Sequence, residues 1–426
     1  MTDDRSAIAE KLFKEGKFRE AGTLYHHLSD ETNNTWYTSR YLQCLRKAGY
    51  PTSAVTFGKQ KLQMHPQDVW IRRELIWALY YANIKPYADS EDLLRLVQAA
   101  EEVLAFEPEP LPLKRIVIPV IRLAKQRNKW DLVRKWCDFL NPDSLEDQPR
   151  KIAGRLGKSE RESWYFAKVK ALLEMQQWED ALSSASQAAT SYPREINFRR
   201  WAALALAGKG DIAEAIHLLQ NIILKDRSEW FLLQDLCELH LQNKDLDAAL
   251  RNGCRAALDC HDDMMKVSLY LLLATTGFHM FQNEFAFRHL ILAKTIRERK
   301  GWSIPGNMQT LEGVIRSRFN DEKITLPMIP ESVREQVFAC TKLWREAAYV
   351  GLPRQSGVVD FSPGDRAFDW IQVEDGQRIF VLRNDLPPAA RTKGVFVNFA
   401  MEPSFDRKRQ HSTVRAVNVI CSRQNV

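Results

Sequence analysis

The chain has 426 residues, which is too long for one compact core and predicts two or three domains. Its apolar content of 45% is ordinary for a globular protein, and its net charge of +7 permits a polyanionic partner without requiring one. The start of the chain lacks the pattern of a secretory signal, and the longest apolar run, Val267 to Phe278, is too short to span a bilayer. Seven cysteines, an odd number, fit reduced thiols, so we expect a soluble cytoplasmic protein with no membrane partner.

Helical periodicity extends from residue 5 to about residue 300, with almost no strand signal. Three stretches of this region align without gaps at a spacing of 34 residues: Trp178 to Ala181, Ile212 to Ala215 and Leu246 to Ala249. In each stretch a small residue lies three positions after a larger apolar one, as expected where two helices approach closely. The spacing predicts a series of helical hairpins, and we expect the whole region to be helical.

Other units fit the same template, two of them closely and three weakly, over residues 16–28, 49–66, 70–108, 113–142 and 264–300. Prolines such as Pro193 end the units, because proline cannot continue a helix. Residues 83–89 are predicted to be an insertion. The last unit has Phe285 and Arg288 where the small residue is expected, so we predict that it caps the stack.

These 34-residue hairpins resemble the tetratricopeptide repeat (TPR) family over roughly 300 residues. The resemblance implies an all-α superhelix, in which each amphipathic hairpin buries its face against its neighbours. An irregular α-solenoid of another kind is the alternative. The groove of such an array binds a protein or peptide more often than it catalyses a reaction. The pattern places four basic residues in helices that line this groove: Arg72, Arg73, Arg199 and Arg200. Three roles are open for them: binding acidic peptides, extending an RNA path, or forming a solvated face.

Residues 301–350 break the repeat pattern and are predicted to be a helical linker. Met308 to Phe319 is predicted to be helical, and Ser332 to Tyr349 is a second helix candidate. The apolar stripe of this second helix is predicted to be Val333, Val337, Phe338, Leu343 and Trp344. We expect it to pack between the two domains.

After Gly351 the hydrophobic period changes to two, and five short β-branched and aromatic runs are bounded by turn residues. This pattern over residues 351–426 predicts a small all-β barrel. The segment Gly357 to Ile371 resembles the opening of a cold-shock domain without a gap. Ile379 to Val381 resembles the second nucleic-acid-binding strand of that family, and Arg415 to Val419 its closing strand. The resemblance implies an OB-type barrel that binds single-stranded RNA or DNA.

The strand period itself supports a binding face, because Phe368 and Trp370 must point to one side of the sheet and Ile371 to the other. Exposed aromatic rings give nucleic-acid bases a surface on which to stack. By the resemblance, the candidate nucleic-acid-binding residues are Phe361, Arg366, Phe368, Trp370, Phe380, Arg407, Lys408 and Arg409. Arg378 and Arg383 are further candidates for phosphate contacts. The alternative is that the aromatic rings pack against the helical array.

The barrel departs from the cold-shock pattern at several positions. Leu382 replaces the usual histidine, Asp360 stands where lysine is common and would repel phosphate, and Asp369 replaces a glycine on the interior face. From Gly357 onward there are 10 basic and 8 acidic residues, which is a weak electrostatic attraction for nucleic acid.

No motif for catalysis or a cofactor occurs, so we predict a non-enzymatic protein without a cofactor. Cys237 with His240, and Cys254 with Cys260 and His261, have the residue types of zinc ligands, but the first pair falls in an apolar helix and we predict no metal site. Two functions stay open. One is an adaptor that holds a protein in its groove and single-stranded nucleic acid on its barrel; the other is a pure protein-interaction scaffold. The oligomeric state and the protein partner are not determined by the sequence.

Overall fold

The computed structural model describes residues 2–149, 151–152, 154–226, 229–259, 261–362, 364, 367–406 and 409–421. The chain divides into two compact units, residues 1–193 and residues 194–426. The first unit is built from helices, and the second begins with helices and ends in a β-barrel. This confirms a helical repeat array followed by a small barrel. In the part of the chain that the structure describes, no helix is both long and apolar enough to cross a membrane.

The first unit consists of helical hairpins that follow one another along the chain. Its helices are α1 (Thr2–Lys14), α2 (Phe18–Thr32), α3 (Thr35–Lys47), α4 (Pro51–Met64), α5 (Val69–Leu79), α6 (Lys85–Asp89), α7 (Leu93–Leu104), α8 (Pro110–Gln126), α9 (Trp130–Cys137), α10 (Glu160–Glu174) and α11 (Trp178–Ser191). Within each hairpin the two helices pack together. Successive hairpins also pack on each other, as α2 of the first hairpin packs on α3 of the second.

Small residues explain this close packing. Ala21 and Ala54, the small residues of the predicted template, are fully buried in α2 and α4. A Cβ atom added to Gly22 would lie 3.2 Å from Cβ of Cys44, and one added to Gly58 would lie 3.2 Å from Cδ1 of Leu75. Larger residues at these positions would therefore force neighbouring helices apart.

Two irregularities interrupt the first unit. The predicted insertion at residues 83–89 covers the end of a π-helical segment, Tyr80–Ile84, and all of α6, which together continue α5 without a break. A short antiparallel strand pair, β1 (Lys151–Ile152) and β2 (Arg155–Leu156), lies between α9 and α10. The prediction that residues 5–300 are entirely helical is therefore wrong at this point. Gly154, with a φ of +79°, allows the chain to reverse there.

The second unit starts with three more hairpins. They are formed by α12 (Ile196–Lys209) and α13 (Ile212–Lys225), by α14 (Trp230–Gln242) and α15 (Leu246–Ala257), and by α16 (Val267–His279) and α17 (Asn283–Arg299). The predicted spacing of 34 residues holds for α11, α13 and α15, which begin at Trp178, Ile212 and Leu246.

The last hairpin corrects one prediction. Its small residue is Ala286, which is fully buried, and not Phe285 or Arg288. A Cβ atom on Gly277 of α16 would lie 3.2 Å from the backbone nitrogen of Ala286, so the two helices meet closely there as in the earlier units. The register was missed because the connection between α15 and α16 is longer and contains a 3₁₀ turn, Asp263–Lys266.

Two further helices, α18 (Gly306–Asp321) and α19 (Val333–Ala347), complete the helical part. Helix α19 packs on α15 and α17, with Cys340 and Trp344 buried along its inner face. Phe338 does not belong to this stripe: it is 82% exposed, because it lies about 100° around the helix from Val337. The indole of Trp344 stacks on Tyr270, with ring centroids 5.7 Å apart.

A buried histidine anchors α19 to α17. His289 of α17 is fully buried, and burial lowers the pKa of its imidazole to about 4. Nε1 of Trp344 donates a hydrogen bond to Nε2 of His289 over 2.6 Å, and Nδ1 of His289 donates to the carbonyl of Phe285 over 2.7 Å. These two contacts fix a neutral imidazole with its proton on Nδ1.

The chain ends in a closed barrel of five strands: β3 (Arg354–Asp360), β4 (Phe368–Val373), β5 (Arg378–Leu382), β6 (Phe396–Asp406) and β7 (His411–Cys421). Their order around the barrel is β3, β4, β5, β7, β6, and β6 closes it by pairing with β3. All pairs are antiparallel except β5 with β7. Strand order therefore departs from chain order at one place, where the chain crosses from β5 to β6.

Alternating apolar side chains fill the barrel. Val359, Ile371, Val381, Val397 and Phe399 are fully buried there. At Gly357 a Cβ atom would lie 2.6 Å from the carbonyl oxygen of Gln372, so only glycine allows β3 and β4 to approach this closely.

Ala215 provides a test of the repeat register. Ala215→Trp would overpack a fully buried position in α13, and we expect it to destabilise the chain by about 1–3 kcal/mol. The matched control is Ala213→Trp, two residues away on the exposed side of the same helix. The measurement is the urea midpoint of the helical circular dichroism signal. Equal midpoints for the two variants would contradict the register.

Candidate nucleic-acid interface

The outer face of the barrel carries an aromatic cluster formed by Phe368 and Trp370 of β4 and Phe380 of β5, which we call the aromatic platform. Side chains of β4 alternate strictly between exposed and buried, as predicted for Phe368, Trp370 and Ile371. Phe368 is 40% exposed and Trp370 is 36% exposed. Trp370 lies directly opposite Phe380 in the antiparallel register, which brings the two strands' aromatic residues to one face.

The three rings contact one another. Ring centroids are 5.2 Å apart for Phe368 and Phe380, 5.9 Å for Trp370 and Phe380, and 6.1 Å for Phe368 and Trp370. The ring of Trp370 is nearly perpendicular to both of the others. Phe380 is half-buried between the strands, so the exposed surface of the platform comes mainly from Phe368 and Trp370. The sequence-based alternative, in which the rings pack against the helices, does not fit their exposure.

Phe361 lies beside the barrel core and is partly buried. The guanidinium of Arg383 covers it at 4.6 Å from the ring centroid. Arg383 also donates from Nε to Oδ2 of Asp369 over 2.9 Å and from Nη2 to the carbonyl of Ser362 over 2.8 Å. Asp369 is buried, as predicted for its interior position. Arg383, a predicted phosphate contact, is therefore held inside the barrel wall by a buried carboxylate.

A second set of charges lies next to the platform. Asp360 is directly opposite Trp370 in the register between β3 and β4. Its Oδ2 is 3.4 Å from Nη2 of Arg378, and its Oδ1 is 3.6 Å from Nζ of Lys393. The positive charges of Arg378 and Lys393 therefore offset the negative charge of Asp360, which the sequence alone predicted to repel phosphate. The sequence analysis did not identify Lys393, which lies in the turn before β6 and comes close to Asp360 only in the folded barrel.

The predicted basic loop is described only in part. Arg366, Arg407 and Lys408 lie outside the described residues. Arg409 is exposed in the turn between β6 and β7, where its backbone amide donates to Oδ1 of Asp406 over 3.1 Å.

The junction between the barrel and the helices of the second unit was also missed by sequence analysis. Glu402 of β6 is buried, with its Oε2 2.7 Å from Nη2 of Arg255 in α15 and its Oε1 2.6 Å from Nε of Arg415 in β7. Burial raises the pKa of the nearby Asp385 carboxyl, an effect that Arg415 partly opposes. This cluster links the barrel to the helices of the second unit. The sequence could not predict it, because its charged residues are far apart along the chain.

The predicted groove arginines are all paired with acidic residues. In the first unit Arg72 is 3.6 Å from Glu107, and Arg73 is 3.6 Å from Glu109. In the second unit Nη1 of Arg199 donates to Asp226 over 2.6 Å, and Nη2 of Arg200 donates to the buried Asp235 over 2.9 Å. Their charges are therefore largely compensated within the repeats.

Of the residues that resembled zinc ligands, Cys237, His240 and Cys254 are buried in helices, whereas His261 is exposed in the connection between α15 and α16. Burial raises the pKa of the Cys237 thiol to about 12 and raises that of Cys254 well above its usual value. A high thiol pKa opposes formation of the thiolate that metal binding needs. Cys260 lies outside the described residues. Among the residues that are described, no group of three or more His, Cys, Asp or Glu side chains is placed to hold a metal ion.

No protein-family model matches the chain, and no curated protein matches its sequence. Among solved structures it is similar to a tetratricopeptide repeat protein from Parabacteroides merdae, at 11% identity, a TM-score of 0.29, and 64% of this chain and 98% of that one covered. It is similar to the TPR2AB domain of yeast Sti1, solved in a pHSP90 complex, at 14% identity, a TM-score of 0.28 and coverage of 68% and 98%.

A third similar structure is the human IFIT1 dimer with PPP-AAAA, at 12% identity, a TM-score of 0.39, and 80% of this chain and 79% of that one covered. All three TM-scores lie below 0.5. The description of the helical part as a TPR-like array therefore rests on the spacing and close packing of this chain's own hairpins.

Arg383 can be tested as a structural residue. Arg383→Ala would leave the buried Asp369 carboxylate unpaired, which costs about 3–5 kcal/mol. We expect faster hydrogen exchange throughout β3, β4 and β5, measured by mass spectrometry on the full chain. The control Arg378→Ala removes an arginine whose side chain is 58% exposed and should leave exchange unchanged. Unchanged exchange in Arg383→Ala would contradict a structural role.

Proposed function

We propose that the protein is a non-enzymatic adaptor with two binding sites. Its barrel binds single-stranded nucleic acid, with RNA as the favoured ligand, and its TPR-like array binds a protein or peptide. The observation that carries this proposal is the aromatic platform, in which the exposed Phe368 and Trp370 and the half-buried Phe380 contact one another on one face of a small barrel. A contiguous cluster of exposed apolar side chains is typical of a binding surface. Bases stack on such rings at about 1–3 kcal/mol each, whatever their identity.

The barrel's closed five-stranded architecture supports an OB-type domain with a cold-shock-like binding face. We propose domain boundaries of 1–300 for the array, 301–350 for the helical linker and 351–426 for the barrel. By the cold-shock resemblance, we also assign Phe361, Arg366, Arg407, Lys408 and Arg409 to the proposed nucleic-acid site. The buried free thiols among the described residues fit the cytoplasm as the proposed location.

Charge contributes less than stacking to the proposed binding. Arg383 forms an ion pair with Asp369 inside the barrel, and Arg378 forms one with Asp360 on the outer face. Few phosphate contacts remain, so affinity should fall with salt along a shallow slope.

A pure protein-interaction scaffold is the second candidate. The specific observation in its favour is the pairing of basic residues with carboxylates, both at the barrel and at Arg72, Arg73, Arg199 and Arg200. Such pairing leaves little positive potential to attract a polyanion.

The experiment is fluorescence anisotropy of the full-length protein with short labelled RNA and DNA of mixed sequence at low salt. Trp370→Ala and Phe368→Ala should each remove about 1–3 kcal/mol of binding free energy by deleting a stacking surface. Phe338→Ala is the matched control, because Phe338 is 82% exposed on helix α19 and belongs to no aromatic cluster recorded among the described residues.

The basic loop is tested by changing Arg407, Lys408 and Arg409 together to Ala. This variant should bind more weakly and show a flatter dependence on salt, because counterion release falls with each lost phosphate contact. If the wild-type protein binds neither RNA nor DNA at low salt, the nucleic-acid function is wrong and the scaffold function is favoured.

A further inference from the structure

Asp360 is the unusual feature of the platform, since a carboxylate beside a nucleic-acid site repels phosphate. It lies directly opposite Trp370 on the same outer face of the sheet, where paired side chains are about 5 Å apart. A base stacked on the indole of Trp370 would therefore have its edge within reach of the Asp360 carboxylate. The carboxylate is placed to contact the base rather than the backbone.

The oxygens of Asp360 are available to accept hydrogen bonds. Their ion-pair distances, 3.4 Å to Arg378 and 3.6 Å to Lys393, exceed the range of a good N–H···O hydrogen bond. The side chains of Arg378 and Lys393 are 58% and 78% exposed, so a ligand can displace or share them. At these distances the two cations leave lone pairs of the carboxylate free to accept hydrogen bonds from a ligand.

The pair of Asp360 and Arg378 presents a defined pattern of hydrogen-bonding groups. The carboxylate offers two acceptors, and the guanidinium beside it offers donors. Guanine is the RNA base whose Watson–Crick edge has the complementary order, with two adjacent donors, the N2 amino group and N1–H, followed by the O6 acceptor. Adenine and cytosine place an unprotonated ring nitrogen beside their amino group, which the carboxylate would repel. Uracil has a single donor between two carbonyl oxygens.

We propose that Asp360, assisted by Arg378, makes the platform selective for guanine in single-stranded RNA. This inference rests on the proposed function and makes it more specific, because stacking alone would accept every base equally. A well-placed bidentate contact discriminates against the wrong base by about five-fold or more. Asp360 then acts as a specificity-determining residue, and the platform supplies most of the affinity.

The test uses full-length protein and labelled uridine-rich RNAs of about eight nucleotides that differ only in one central base. Fluorescence anisotropy should show the guanosine RNA binding about five-fold or more tightly than the adenosine, cytidine and all-uridine RNAs. An inosine RNA, which lacks the N2 amino group, should bind between guanosine and uridine. This arm needs no protein variant, so a folding defect cannot obscure it.

Asp360→Asn should bring the ratio of guanosine to uridine affinity close to one, because an amide offers one acceptor and one donor in place of two acceptors. Removing a negative charge could also raise affinity for all RNAs. Glu374→Gln is the matched control for that effect, since Glu374 is an exposed acidic residue of the same barrel beyond the end of β4. It should leave the ratio unchanged.

Equal affinity for the guanosine, inosine and all-uridine RNAs would overturn the selectivity and leave the stacking function intact. A guanosine preference that survives in Asp360→Asn would overturn the role of Asp360. Absence of binding to every RNA would overturn the proposed function and the selectivity together.

Discussion

The buried pair of Asp369 and Arg383 fixes the strand on which the candidate site depends. Asp369 points inward near the start of β4, and its carboxylate accepts from Arg383 and from the backbone amide of Ser362. Because strand side chains alternate, an inward Asp369 requires outward Phe368 and Trp370. A register shift of one residue would bury both rings and expose Ile371. The ion pair opposes that shift, because Asp369 would lose its only cationic partner recorded among the described residues.

The same constraint explains why the barrel has so little free positive charge. The arginine that the sequence offers to phosphate is needed to neutralise the carboxylate inside the barrel, and Arg378 stands next to Asp360. In the proposed function, binding therefore comes mainly from stacking on the platform. Such a site has modest affinity and tolerates salt better than a basic groove. The junction of Glu402 with Arg255 and Arg415 holds this barrel to the helices of the second unit.

Much of the fold followed from local patterns in the sequence. The 34-residue spacing located α11, α13 and α15, and the period of two located β4 with its outward rings. Errors arose where the chain departs from the period. The longer connection before α16 hid Ala286, and helical phase alone could have excluded Phe338 from the buried stripe of α19.

Contacts between residues distant in sequence were beyond such reasoning. The pairing of Arg383 with Asp369, the cations beside Asp360 and the burial of Glu402 depend on strand register and on the packing of the barrel against helices. Those relations exist only after the chain has closed into a barrel. Sequence patterns therefore identified the aromatic residues of the proposed nucleic-acid site. They did not identify the ion pairs that determine how much positive charge is left for phosphate.

The most direct measurement is photochemical cross-linking of RNA to the full-length protein, with the linked residues identified by mass spectrometry. Stacked bases cross-link to the aromatic rings that they touch, so the account predicts linked peptides from β4 and β5, at Phe368, Trp370 and Phe380. Cross-links confined to the helical region, residues 2–347, would contradict the claim that the barrel's aromatic platform is the nucleic-acid site.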